Sequence, residues 1–155
     1  ERVAQTKGQT AFTPAISLVV ALREVLLGMR EEGLEAIWAR HAVLAEATRA
    51  GVVAAGLTLF PDSPANSVTA ASVPAATTSP DVVRTMREAY GVTIAGGQDQ
   101  LKPHLVRIGH LGHFDRHDII VALSSLEGSL HRLGVDVVPG AAVSAAQRVF
   151  FERES

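Results

Sequence analysis

The chain has no cysteine. That absence removes any disulfide framework, thiolate nucleophile or Cys-ligated zinc, and it suits a reducing, cytoplasmic setting. Lysine is nearly absent as well: Lys7 and Lys102 are the only two. A lysine that forms an imine needs desolvation or a positive neighbour to lower its pKa. Lys7 stands in TKGQ and Lys102 in QLKP, both polar loops, so each reads as solvated surface. Long apolar runs are missing too. The stretch from Ala15 to Leu22 is broken by Arg23 and Glu24, well short of the roughly 20 residues that span a bilayer. Nor is there charge of one sign, since the net charge is -2 with acids and bases mixed along the chain. Neither nucleic acid nor an anionic membrane is expected as a partner. The chain opens on Glu1 with no signal-peptide pattern behind it, and the expectation is that something upstream has been removed or left out.

What is present is an ordinary globular composition: 155 residues, 47% of them hydrophobic, enough for a real core. Residues 1–14 are polar and end in Pro14, a lead-in to a helix. From Ala15 to about Met29 apolar residues recur at mixed three- and four-residue spacing, which predicts a largely buried helix. After Glu31, Glu32 and Gly33, the set Leu34, Ile37, Trp38, His41, Leu44, Ala45 and Ala47 predicts a second helix reaching about Gly51. Leu57 to Phe60 and Ser67 to Val73 read as strands bounded by prolines. Ser79 as cap, with Pro80 and Asp81 behind it, predicts a third helix ending before Gly91. Val92 to Ala95 and Leu105 to Ile108 read as strands on either side of a Gly96-Gly97 turn, and Asp115 to Leu133 as a last amphipathic helix. Pro139 to Ser155 is a tail, helical or frayed.

Strands that come in pairs between helices favour a small antiparallel or mixed sheet covered by helices over a doubly wound parallel sheet. The fold class is α/β. The expected organisation is a lead-in segment and interdomain helix over 1–32, a small domain over 33–138, and the tail over 139–155.

Arg107 is the side chain most suggestive of chemistry. HLVRIGHLG puts a guanidinium in the middle of an apolar strand, where it needs an anion. A planar fork grips a carboxylate bidentately, as a substrate clamp would. On spacing alone, an internal salt bridge to Asp or Glu is the more ordinary reading. His104, His110, His113 and His117 crowd this strand, but their spacing is poor for a metal, no HExxH exists and no cysteine could complete a shell. No metal is expected. His41 reads as a packed or capping residue. Gly96-Gly97-Gln98 belongs to no phosphate-binding glycine motif and reads as a turn. Thr10, Thr13 and the amides opening the first helix are better phosphate candidates.

Taken together, GQTAFTPAISLVVALREVL, EEGLEAIWARH and IAGGQDQLKPHLVRIGHLG resemble, in this order, the C-terminal third of class V, fold-type I aminotransferases. The group resembled is that of alanine-glyoxylate and serine-pyruvate aminotransferases, with the related soluble-hydrogenase small subunits. The resemblance runs from about Gly8 to Gly134. It implies pyridoxal 5'-phosphate as cofactor of the whole protein, a homodimer, and small amino acids and 2-oxo acids as substrates. It implies that Thr10 and Thr13 approach the cofactor phosphate, and that Arg107 clamps the substrate carboxylate, which reverses the reading from spacing. The lysine, the pyridine-pairing aspartate and the ring-stacking residue of the family would lie upstream, so this chain alone is expected to be inactive. The opposing expectation is a non-enzymatic interaction or scaffold module that keeps only the small-domain fold.

Overall fold

The computed structural model describes residues 12–154. Its elements run α1 (Ile16–Glu32), α2 (Leu34–Ala54), β1 (Thr58–Leu59), β2 (Val68–Ser72), α3 (Ser79–Tyr90), β3 (Ala95–Gly96), a 3-10 turn (Asp99–Leu101), β4 (Leu105–Gly109), α4 (Arg116–Arg132) and α5 (Ala141–Glu154). The four strands form one sheet in the order β1-β2-β4-β3, every neighbouring pair antiparallel. This is the expected α/β class with a small antiparallel sheet. The chain divides into two compact units, with the boundary between Trp38 and Ala39.

In the first unit α1 is apolar on more than one face, yet none of its residues is buried. The expectation of a largely buried helix is not met. Mixed three- and four-residue spacing measures how much apolar surface a helix carries; whether the same chain covers that surface is a separate matter. Gly33 ends α1 at φ 88°, a conformation that suits glycine, and its amide donates to the Met29 carbonyl.

In the second unit the core gathers Leu44, Ala47 and Val52 from α2, Val82 and Met86 from α3, Ile119, Leu123, Leu126 and Leu130 from α4, and Ala142, Ala146 and Phe150 from α5. These pack with Leu57, Ala71, Val106 and Ile108. Ala71 pairs with Val106 and Thr69 with Ile108, all buried, so one face of β2 and β4 looks into the core. The tail is helix. Its N-terminus is secured by the buried Glu127 carboxylate, which accepts from the Ala142 amide at 2.8 Å.

Local chemistry explains the element ends. Asp115 caps α4 through a reciprocal box with Asp118. The cap of α3 is Thr78 and not Ser79: the Thr78 hydroxyl accepts from the Asp81 amide, and Ser79 is the first helical residue. Ser79 is buried and spends its hydroxyl on the Leu105 carbonyl at 2.6 Å. The strand expected over Val92 to Ala95 is displaced to Ala95–Gly96. The Val92 amide closes the end of α3 on the Met86 carbonyl, so the chain is still leaving the helix where the strand was expected to begin.

Candidate functional site

Arg107 sits at the middle of β4, and β4 lies between β2 and β3. Its direct cross-strand neighbours are Ala70 on one side and Ala95 on the other. Alternation puts Val106 and Ile108 in the core and Arg107 on the other face, flanked by two methyl side chains that leave the guanidinium room. It is partly buried. Its Nε donates to the Gly96 carbonyl at 2.9 Å. Among the described residues no Asp or Glu forms an ion pair with it. The internal salt bridge favoured by spacing is therefore not what the fold supplies. With Nε committed, the edge formed by the two Nη groups remains to meet a planar anion.

The Gly96-Gly97 step is more than a turn, because its backbone holds the arginine. The Gly97 amide donates to the Leu105 carbonyl at 2.6 Å. A Cβ on Gly97 would come within 2.2 Å of the Leu101 carbonyl oxygen, so close backbone approach requires glycine here. Ser79, reaching the same Leu105 carbonyl from α3, ties that helix to the start of β4.

The four histidines of this region part company. His104, His113 and His117 are exposed, whereas His110 lies on the core face and is fully buried. Its Nε2 pairs with the Thr69 hydroxyl at 2.9 Å, and among the described residues no group meets Nδ1 with hydrogen-bond geometry. Burial lowers its pKa to about 4, and the nearby Arg49 and His41 act in the same direction. His110 is thus a neutral core histidine. His41 is partly buried on α2 and accepts the Gly112 amide at Nε2. Among the described residues no three His, Cys, Asp or Glu side chains group as metal ligands would.

Of the phosphate candidates, Thr10 lies outside the described residues. Thr13 is exposed just ahead of α1, and among the described residues no side chain caps that helix. Thr13 and Arg107 belong to different units. The Gly96 carbonyl as partner to Arg107, the buried Ser79 and the Glu127 cap had no signal in the sequence, because all three depend on tertiary approach.

A small antiparallel sheet with helices on its core face and an unpaired strand arginine outside it defines a recognisable class of domain. No family model matches the chain. Among curated proteins it is 43% identical over 145 residues to the "Soluble hydrogenase, small subunit" of Synechococcus sp., covering 92% of this chain and 38% of that protein. It is 37% identical over 142 residues to the serine-glyoxylate aminotransferase of Methylorubrum extorquens, covering 90% of this chain and 35% of that enzyme. Among solved structures, pyridoxamine-pyruvate aminotransferase from Mesorhizobium loti superposes with a TM-score of 0.85 at 33% identity, over 93% of this chain and 38% of that one. The relatives and structural neighbours are aminotransferases of the class V, fold-type I group, and the chain has the fold of their C-terminal domain. It spans little more than a third of the length of these relatives.

The described residues do not fit covalent attachment of pyridoxal 5'-phosphate. Lys102 is exposed in the turn after Asp99–Leu101, with none of the desolvation that activates a lysine. Lys7 lies outside the described residues.

Proposed function

We propose that this chain is the substrate-carboxylate-binding small domain of a pyridoxal-phosphate-dependent aminotransferase. The enzyme exchanges an amino group between a small amino acid, such as alanine or serine, and a 2-oxo acid, such as glyoxylate or pyruvate. The observation that carries this reading is Arg107, an arginine in an apolar strand whose Nε is held by the Gly96 carbonyl and which no described carboxylate pairs. Both substrates carry an α-carboxylate, so one guanidinium fork serves donor and acceptor alike. The relatives' names, which include serine-glyoxylate and pyridoxamine-pyruvate transfer, support the same substrate class.

The rest of the reading follows the family. Residues 1–32 link to a large domain, 33–138 form the small domain and 139–155 its closing tail. Thr10 and Thr13 lie toward the cofactor phosphate, and the lysine that carries the cofactor is supplied outside this chain. The enzyme works as a homodimer in the cytoplasm; no described helix is long and apolar enough to cross a membrane. The hydrogenase-subunit name of the 43% identical relative favours a second reading, a non-enzymatic subunit that keeps the fold as an interaction module. Both readings are tested by incubating the longer protein that carries this chain with the cofactor, serine and glyoxylate. Glycine and hydroxypyruvate should form, and the 155-residue chain alone should form neither. A longer protein that transfers no amino group from any small donor would overturn the aminotransferase reading, whereas stoichiometric borohydride labelling of Lys102 in the chain alone would overturn only the assignment of the cofactor's lysine to a place outside this chain.

A further inference from the structure

The segment that follows β4 is gripped by two consecutive side chains of α2. Arg40 Nη1 donates to the Gly112 carbonyl at 2.9 Å and to the Phe114 carbonyl at 3.1 Å. The next residue, His41, accepts the Gly112 amide at Nε2, at 3.0 Å. Successive side chains leave an α-helix about 100° apart, so Gly112 is held from two directions, its C=O by one residue and its N–H by the other. Gly112 itself has φ 88°, a shape that only glycine takes without strain. Upstream, the His110 amide adds a rung to β2 by donating to the Ser67 carbonyl at 3.1 Å, and the ring is pinned by Thr69. Downstream, Asp115 starts α4. Every second residue from 110 to 114 is therefore tied to β2 or α2, beginning three positions after Arg107.

Water would satisfy the same exposed backbone groups nearly as well as Arg40 and His41 do. What the two side chains add is placement. We propose that His41 and Arg40 are positioning residues: they fix the turn 110–114, and through it the end of β4 and the direction of the Arg107 guanidinium. Its value to function rests on the carboxylate-binding reading above, but the clamp is measured without any substrate.

The test uses the 155-residue chain with His41→Leu, which keeps bulk and loses the acceptor, and His41→Gln, which restores an acceptor at similar reach. Exchange of the Gly112 amide should quicken at least about tenfold in the leucine variant and return toward the original rate in the glutamine variant. The Arg107 Nε–H resonance should move toward that of solvated arginine in the leucine variant alone. The amides of Leu123 and Leu126 should stay protected. If they do not, Arg40→Lys, which loses the forked contact, replaces the leucine variant. Unchanged Gly112 exchange would remove the clamp. A freed Gly112 with an unmoved Arg107 Nε–H would make it a local anchor and remove the positioning role. Failure of the carboxylate reading would appear separately, as an Arg107 variant of the longer protein with unaltered KM.

Discussion

His110 lies three residues beyond Arg107, just past the end of β4, and the alternation of the strand carried one step further gives the two opposite fates. Arg107 faces away from the core with its Nε satisfied, while His110 is buried and neutral. The consequence for stability has a definite sign. The folded pKa of His110 lies near 4, below its ordinary 6.5, so between these values the unfolded chain binds the extra proton. Its stability is complete above pH 6.5 and declines as pH falls toward 4, by about 3 kcal/mol over that window. Urea melts between pH 7 and 4 should show this slope, and His110→Gln should flatten it. An identical slope in the variant would assign the acid sensitivity to other groups. The sequence singled out Arg107 as unusual, since a charge in an apolar strand is visible in one dimension. It could not separate His110 from His104, His113 and His117, because burial differs among residues with the same local pattern.

At the scale of elements, the helices and strands appear in the expected order because hydrophobic period and capping residues are local signals. The misses arise where tertiary contacts claim a residue. Ser79 is bound to β4 instead of capping its own helix, and Val92 closes the end of α3 instead of starting a strand. The hairpin carrying Arg107 also makes two glycines unequal. A Cβ on Gly97 would meet backbone, the Leu101 carbonyl, at 2.2 Å, whereas one on Gly96 would meet the Ser79 hydroxyl at 3.2 Å. Gly97→Ala should destabilise the chain by about 1–3 kcal/mol and Gly96→Ala by less, since backbone cannot step aside as a side chain can. Thermal melts of the two variants check the order; equal losses would mean that the 97–105 turn relaxes freely.

For the whole molecule, two features fit a domain that works as part of something larger. The helix α1 presents Ile16, Leu18, Val19, Leu22, Val25 and Leu26 to solvent, far more apolar surface than an isolated helix face needs. The chain also matches its relatives across most of its own length but little more than a third of theirs. The family was legible from three stretches of sequence. Arg107's setting was not, because the Gly96 carbonyl and the flanking Ala70 and Ala95 come together only in the sheet. The central claim is that this guanidinium holds the α-carboxylate common to both substrates. Steady-state kinetics of Arg107→Lys in the longer protein test it most directly. A lysine cannot reproduce the paired hydrogen bonds, so KM should rise for amino acid and oxo acid alike, with kcat/KM falling by the equivalent of about 2–4 kcal/mol and little change in melting temperature. A KM unchanged for both substrates would contradict the account.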